Sequence, residues 1–257
     1  MRFAVSSPNV GAAGELVDLA VAAESAGWDA FFLWDHVHLI RDLRLEIHDP
    51  WVLLGAIAHA TSTIRLGTMV TPVPRRRPQK LAKEVVTLDH LSGGRVILGV
   101  GLGWPADDEF GAFGEPTDDR ARADLLDAGL DVVGAVCRGE STMMPGSVQQ
   151  PSPPVWVAAM SPARRPLRRA ARFDGVVPLS GEGIPTHPSE IARYLATEPE
   201  IVAAMARPGF DVVMNWAPDT KPSEYEALGA TWLVESSWVS EEDRAGLRTR
   251  VEVCPPR

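Results

Sequence analysis

The sequence has 257 residues, of which 45% are apolar and 23% are charged, and its formal net charge is −9. This length and apolar content suit one large α/β domain and argue against a disordered chain. The negative net charge disfavours nucleic acid and anionic membranes as general partners.

Cysteine content and hydropathy narrow the class of protein further. Cys137 and Cys254 are the two cysteines, too few for a disulfide framework, so we expect a reducing cytoplasm. No apolar stretch reaches the roughly 18 residues that a membrane helix needs, and the N-terminus lacks the apolar core of a secretory signal. We therefore expect a cytoplasmic protein with a small-molecule substrate.

Short apolar runs alternate with longer helical patterns along the whole chain. Eight runs predict strands, at residues 3–6, 30–34, 64–70, 96–101, 155–159, 175–179, 210–214 and 231–235. Eight patterns predict helices, at about 14–26, 50–61, 78–91, 120–137, 163–172, 188–206, 222–228 and 240–250.

This alternation is typical of an α/β fold of the (β/α)8 TIM barrel type, which has the same number of units at a similar length. An open, doubly wound parallel sheet is the alternative. GVGLGW does not match the G-x-G-x-x-G fingerprint of dinucleotide-binding sheets, so we prefer the barrel. We expect a single domain over residues 1–257, with a loose tail at 250–257.

Asp35, His36 and His38 follow the second strand, at the end of the barrel where active sites lie. Three interpretations are open. The His-x-His pair could bind a catalytic metal, which would need further ligands from later strand ends. Asp35 and His36 could close the strand end by hydrogen bonds, or they could face a bound organic cofactor as a catalytic pair.

Residues 83–114 combine a helix, a fully apolar strand and a glycine-rich end. Gly99, Gly101 and Gly103 carry no side chain, so a flat ligand could approach the backbone there. Trp104 and the acidic residues 107–109 follow this strand and are well placed for ligand contact. DHLSGGR, in contrast, precedes the strand, where we expect it to serve the architecture.

Other strand ends give weaker signals. Thr68 and Met69 end the third strand and could line an apolar pocket. After Met160, Ser161 is suited to cap a helix, and the free N–H groups of that turn with Arg164 could equally bind a phosphate. We interpret the arginines at 75–77 as a solvated surface loop, and those at 168, 169 and 172 as facing solvent or an acidic neighbour. Residues 139–154 contain four prolines and predict a surface loop between the fourth helix and the fifth strand.

Six segments, taken in order, are informative together: AGWDAFFLWDHVH, DPWVLLGAIAHATSTIRLGTMVTPV, RRRPQKLAKEVVTLDHLSGGRVILGVGLGW, DEFGAFG, PPVWVAAMSP and AARFDGVVP. As a set they resemble the bacterial-luciferase-like family of flavin-dependent monooxygenases and deazaflavin-dependent oxidoreductases. The resemblance covers the first six strands and weakens from residue 184 onward.

The resemblance implies a (β/α)8 barrel with FMN or the deazaflavin coenzyme F420 at its C-terminal mouth. It places Asp35 and His36 near the reactive ring. It further implies a non-proline cis peptide at Thr68-Met69, ring contacts from Gly101, Gly103 and Trp104, and a phosphate near Met160, Ser161 and Arg164. A homodimer is also common in this family.

Two departures from the family pattern matter. The sugar-phosphate-oxidising branch has a glutamate just after the third glycine, where this chain has Trp104, so that activity is not expected. The excursion between the fourth helix and the fifth strand, at 139–154, is shorter than in the family, which should leave the substrate less enclosed.

The sequence therefore predicts an oxidoreductase. In the FMN version a flavin reductase supplies reduced FMN, and oxygen is used to oxidise a small organic substrate. In the deazaflavin version a hydride moves between coenzyme and substrate. Two hypotheses from other classes remain: a metal-dependent barrel hydrolase, and a cofactor-free or degenerate barrel that acts as a binding protein.

Overall fold

Eight parallel strands close into a barrel in the computed structural model of the chain. The structure describes residues 1–180, 187–217 and 219–255. Each strand pairs with the next along the chain, and β8 pairs with β1. The strands are β1 (Arg2–Ser7), β2 (Ala30–Leu33), β3 (Arg65–Pro72), β4 (Val96–Gly101), β5 (Val155–Met160), β6 (Gly175–Leu179), β7 (Asp211–Asn215) and β8 (Trp232–Ser236).

Helices follow the strands and pack on the outside of the barrel. They are α1 (Ala13–Ala26), α2 (Pro50–Ala60), α3 (Pro78–Ser92), α4 (Ala106–Glu109), α5 (Asp119–Cys137), α6 (Arg165–Ala170), α7 (Pro188–Leu195), α8 (Pro199–Met205), α9 (Pro222–Glu226) and α10 (Glu241–Val251). Short 3-10 helices lie at Arg41–Leu43, Val73–Arg75 and Gly111–Phe113. Within the described part of the chain, no helix combines the length and apolar character that a membrane crossing requires.

The predicted (β/α)8 barrel is confirmed, and the doubly wound sheet is wrong. The predicted strand limits lie within two residues of the observed ones. The single helix predicted at 188–206 is instead two helices, because Pro199 lacks an N–H group and begins a new helix after Leu195. Residues 256 and 257 of the expected tail lie outside the described residues, whereas its first two residues belong to α10 and Val251 is fully buried.

Large aromatic rings fill the N-terminal half of the barrel interior. Trp156 packs against Phe32 and Trp232, with ring centroids 5.3 and 5.2 Å apart, and all three side chains are fully buried. The Trp156 indole N–H donates a hydrogen bond to Asp211 at 3.1 Å. Because this half of the interior is filled, a ligand can reach the barrel only from the C-terminal end.

Residues 139–154 lie at the N-terminal end of the barrel. Asp89 accepts hydrogen bonds from the backbone N–H groups of Val148 and Gln149, at 2.7 and 2.9 Å. The Gln149 side-chain amide donates to the carbonyl of Val96, where β4 begins. Our expectation that this segment affects substrate enclosure is therefore wrong, because it lies opposite the mouth. The structural interpretation of DHLSGGR is confirmed by the same contacts.

Close packing of β3 against β4 supplies a test of the barrel. A Cβ atom on Gly67 would overlap the carbonyl oxygen of Ile97. We expect Gly67→Ala to lower the free energy of unfolding by about 2–3 kcal/mol, measured by urea denaturation, because the two strands must separate.

Gly55→Ala on α2 is the matched control. A Cβ atom there meets no other atom within 4 Å, and alanine favours a helix over glycine by about 1 kcal/mol. This variant should be as stable as the unaltered protein or more stable. Equal stability of the two variants would contradict the close approach of β3 and β4.

Candidate active site

The barrel opens at its C-terminal end into a concave mouth. Inward-facing positions recur at every second residue of a strand, and the buried Phe32, Trp156 and Val234 are followed two positions later by half-buried residues. This change from buried to half-buried shows where the filled interior ends. The half-buried residues at the strand ends are Trp34, Met69, Ala158, Met160, Leu179, Asn215 and Ser236.

Asp35, predicted to be catalytic, lies in the wall of the mouth and is only 3% exposed. Its carboxylate accepts hydrogen bonds from the Thr71 hydroxyl and from the guanidinium groups of Arg75 and Arg76, each at 2.8 Å. These donors occupy both oxygens. Asp35 therefore joins the end of β2 to the residues that follow β3 and has no free oxygen with which to orient an imidazole.

Glu109 is the second buried carboxylate of the site, at 1% exposure. It accepts hydrogen bonds from the consecutive backbone N–H groups of Val37, His38 and Leu39, at 2.6–3.1 Å, and forms an ion pair with Arg75. Leu39 adopts φ of 57°, the left-handed conformation that helps to turn successive N–H groups toward one anion. Glu109 thus ties the loop after β4 to the loop after β2.

His36 is held beside this pair of carboxylates. Its Nδ1 atom lies 3.4 Å from Glu109 Oε1, and its ring meets the ring of Trp34 edge-on at 5.7 Å. Burial, and secondly the positive charge of Arg75, lower the pKa of His36 to about 4, against the opposing effect of Asp35. The imidazole is therefore neutral near pH 7. With Nδ1 facing Glu109, Nε2 is the nitrogen on the other side of the ring.

Asn9 fixes the backbone that carries His36. This fully buried residue follows β1, and its side-chain amide donates to the carbonyl oxygens of His36 and His48, at 3.0 and 2.7 Å. Asn9, Asp35, Arg75 and Glu109 come from the connections after β1, β2, β3 and β4. One buried polar network therefore positions the imidazole from four neighbouring loops.

The third and fourth strands differ in detail from the sequence expectation. Thr68 is fully buried, and its hydroxyl lies 3.2 Å from the Gly99 carbonyl, so Met69 is the half-buried member of the pair. The non-proline cis peptide joins Met69 to Val70, one residue later than expected. A Cβ atom on Gly101 would lie 2.8 Å from a methyl carbon of Val70, so the side chain of Val70 covers this glycine.

Gly103 and Trp104 lie at the edge of the mouth. Gly103 has φ of 87°, which favours glycine, and the buried Arg122 donates a hydrogen bond to its carbonyl at 2.8 Å. Trp104 is 51% exposed at the rim. The guanidinium of Arg122 also lies over the ring of Phe110, 4.8 Å from its centre. Arg122 therefore holds the glycine-rich end of β4 in place.

The predicted phosphate site after β5 does not lie at the start of a helix. Met160 and Ser161 are half-buried at the mouth, and Arg164 is exposed. Helix α6 begins four residues after Ser161, at Arg165, and has no side-chain cap, so the capping role predicted for Ser161 is wrong. The paired interpretation is confirmed for Arg168, which contacts Glu198, and for Arg169, which contacts Asp127.

The sequence interpretation of the arginines after β3 was the main error. Arg75 and Arg76 were expected to be solvated, yet their side chains are only 8% and 16% exposed and bind Asp35. Glu109 was expected to contact ligand and instead anchors a loop. The sequence does contain a signal for the contact between Asp35 and Arg75. The two residues follow neighbouring parallel strands, whose C-terminal ends lie side by side.

The polar groups of the network are largely committed to one another. Among the described residues, no group of three or more His, Cys, Asp and Glu side chains is placed to hold a metal ion. The His36 side chain is 18% exposed, and unlike Arg75 and Arg76 its imidazole is not paired with Asp35. The site thus offers one neutral imidazole above a largely apolar floor.

Sequence comparison assigns the family. The profile of the luciferase-like monooxygenase family matches residues 1–212, which include β1 to β6 and all members of the polar network. The chain belongs to the luciferase-like monooxygenase family. The luciferase-like fold and the family resemblance are thereby confirmed.

Curated relatives of this luciferase-like chain include F420-dependent enzymes. The chain is 29% identical to an F420-dependent glucose-6-phosphate dehydrogenase of Beutenbergia cavernae over 255 residues. The aligned region covers 93% of this chain and 74% of that protein. An uncharacterised protein of Mycobacterium tuberculosis is 41% identical over 102 residues, so the match spans only 36% of that relative's length.

Solved structures include both kinds of luciferase-like enzyme. An F420-dependent secondary alcohol dehydrogenase has a TM-score of 0.74 at 15% identity, covering 98% of this chain and 97% of that one, and shows the shared fold alone. The monooxygenase RslO1 from Streptomyces bottropensis has a TM-score of 0.71 at 25% identity, covering 98% of this chain and 78% of that one.

Glu109 can be tested by an isosteric change. Glu109→Gln replaces one acceptor oxygen with an NH2 group that faces backbone N–H donors or Arg75. We expect the free energy of unfolding, measured by urea denaturation, to fall by about 3 kcal/mol. Asp107→Asn, on the exposed face of the same short helix, should change it by less than about 0.5 kcal/mol. Similar values for both would contradict the anchoring role.

The pKa of His36 predicts a pH dependence of stability. Its value in the folded protein is about 4, whereas an unfolded chain has a value near 6.5. Between these pH values the unfolded chain binds more protons, so the free energy of unfolding falls as the pH is lowered. The total decrease from about pH 6.5 to about pH 4 should approach ~3 kcal/mol.

The matched variants are His36→Asn and His59→Asn. Replacing His36 should flatten the decrease in the free energy of unfolding between about pH 7 and about pH 5, measured by urea denaturation. Replacing the exposed His59 on α2 should leave the decrease as it is in the unaltered protein. An unchanged slope in His36→Asn would show that the imidazole is not buried in its neutral form.

Proposed function

We propose that the protein is a luciferase-like oxidoreductase that transfers a hydride between coenzyme F420 and a small organic alcohol or carbonyl compound. The observation that carries the proposal is the neutral imidazole of His36 at the edge of an open, mostly apolar mouth. The relative that covers 93% of the chain is named as F420-dependent, which favours the deazaflavin over FMN, our first expectation from the sequence.

The residues at the mouth fit a flat ring system. Met69, Ala158 and Leu179 are apolar and half-buried at the ends of β3, β5 and β6, so they provide a floor on which a ring can lie. In this proposal Gly101, Gly103 and Trp104 border the ring, and Met160, Ser161 and Arg164 lie toward the phosphate. When bound, coenzyme F420 supplies a two-electron acceptor or donor for hydride transfer.

His36 would move the proton in this reaction. A neutral imidazole can accept the hydroxyl proton of an alcohol at Nε2 while the substrate carbon is oxidised. The Nδ1 side of the ring, which would share the positive charge that forms, lies 3.4 Å from Glu109 Oε1. In the reverse direction the same nitrogen returns the proton to a carbonyl oxygen. Asp35 has a structural role in this proposal, because it holds Arg75 and Arg76 in the wall of the mouth.

Trp104 argues against one substrate of the relatives. The sugar-phosphate-oxidising branch resembled by this chain has a carboxylate at this position, and here an indole occupies it. We therefore do not propose glucose 6-phosphate as the substrate, although curated relatives are named for it.

A second candidate is an FMN-dependent monooxygenase. It is favoured by the 25% identity to RslO1 over 98% of this chain. In that version a flavin reductase would be a partner, and the mouth would need to exclude water from the reduced flavin. Our proposal also retains a cytoplasmic location and a homodimer, with neither nucleic acid nor membrane as a partner.

Titration with each cofactor tests the proposal directly. Adding purified protein to F420 and to FMN, and following ring fluorescence, should give micromolar binding of F420 that is at least about tenfold tighter than that of FMN. Tighter binding of FMN would support the monooxygenase candidate instead. Binding of neither cofactor, with no rise in melting temperature, would indicate a cofactor-free barrel and overturn both candidates.

A matched pair of variants locates the ring in the mouth. Ala158→Leu extends a side chain from the proposed floor and should weaken binding of the preferred cofactor about tenfold or more. Ala128→Leu, on the exposed face of α5, should leave it unchanged. Melting temperatures of both variants separate a blocked floor from an unfolded protein.

A further inference from the structure

The two sides of the mouth differ in chemistry. The side formed by β3, β4 and β5 carries the half-buried Ala158, and the side chain of Val70 lies over Gly99 and Gly101. The opposite side, formed by β8, β1 and β2, carries two tryptophans at the strand ends. Trp34 follows β2 and Trp238 follows β8, and their rings meet edge-on with centroids 5.8 Å apart. A flat cofactor suits the first side, which leaves the second for another molecule.

Trp34 presents an apolar surface to the mouth. Its indole N–H, the one polar group of the side chain, donates to the Ser6 hydroxyl at 3.1 Å. The ring is half-buried. What remains accessible is therefore aromatic carbon, which binds apolar and aromatic groups.

Trp238 is exposed although its backbone is anchored. The side chain of Trp238 is 39% exposed, whereas the next residue, Val239, is 4% exposed and packs with Val10 and Leu39. The Val239 carbonyl accepts a hydrogen bond from Arg244 at 3.3 Å. An exposed indole on a fixed backbone is a preorganised surface, because little conformational freedom is lost when a ligand covers it.

Charge beside the two indoles disfavours an ionic substrate. The buried guanidinium groups of Arg75 and Arg76 are paired with Asp35, Glu109 and Glu84. On β8, Glu235 is paired with Arg250. The described residues on this side of the mouth therefore include no buried, unpaired cation for a phosphate or carboxylate of the substrate, and desolvating such a group without a partner is costly.

We infer that the space beside Trp34, Trp238 and His36 binds an uncharged substrate with an apolar, ring-bearing body and a single hydroxyl or carbonyl group. The apolar body covers the two indoles, and the oxygen reaches the imidazole, whose ring centre lies 5.7 Å from that of Trp34. This inference rests on the proposed function, since it specifies the substrate class of the same site.

Benzyl alcohol and glucose 6-phosphate serve as the two probes. Their Kd values are measured by ligand-observed NMR titration of the full chain, with and without F420 or FMN. We expect benzyl alcohol to bind more tightly than glucose 6-phosphate. Trp238→Ala should weaken benzyl alcohol binding about tenfold, whereas Trp238→Phe, which retains a ring, should stay within about threefold.

Leu91→Ala is the control, because Leu91 is 63% exposed on α3, outside the barrel mouth. It should leave the Kd of benzyl alcohol unchanged. Tighter binding of glucose 6-phosphate, or equal benzyl alcohol affinity in Trp238→Ala and Leu91→Ala, would overturn the inference. So would a Trp238→Ala variant that loses affinity for the cofactor instead of the probe.

The same titrations separate the two proposals. If F420 or FMN binds but benzyl alcohol does not, the substrate class is wrong and the oxidoreductase proposal stands. If benzyl alcohol binds in a Trp238-dependent manner and neither cofactor binds, the oxidoreductase proposal fails while the ligand class of the indole pair is supported.

Discussion

The carboxylate of Glu109, held by the N–H groups of residues 37–39 and by Arg75, is the interaction on which the site depends. A buried carboxylate is costly unless donors surround it, and here the donors come from loops that follow β2 and β3. Satisfying one anion therefore fixes three loops relative to one another. Asn9 adds the loop after β1, and the result is a rigid wall around His36.

This wall explains why the imidazole is neutral. The arginines that could have stabilised a negative substrate are paired with Asp35 and Glu109, so their charge is balanced within the wall. Burial is the largest effect on the pKa of His36 and lowers it, and the smaller effects of Arg75 and Asp35 oppose each other. A neutral ring next to a carboxylate can take up a proton transiently, which is the state that alcohol oxidation requires.

Periodicity was sufficient to predict the barrel, because fully apolar strands and amphipathic helices differ clearly in pattern. It was insufficient for the site, because burial of a polar residue depends on partners distant in sequence. Arg75 and Arg76 have the composition of a solvated loop, and only the pairing of β2 with β3 brings them to Asp35. The sequence likewise suggested that the backbone of Gly101 is uncovered. In the structure the side chain of Val70 lies over it, a position that depends on the local backbone of β3.

The balance of charges within the wall also affects how substrates are selected in the proposed function. In the proposed function, specificity could change without altering the network, because the tryptophans at the rim lie outside it. Trp104 ends the glycine-rich segment, and Trp238 follows β8, and neither contributes to the hydrogen bonds of Glu109 or Asp35. An indole in place of a carboxylate removes a proton-donating group from the rim and adds apolar surface, which favours an apolar substrate over a polar one. In the proposed function the network holds His36 in place, and the rim residues select the molecule that reaches it.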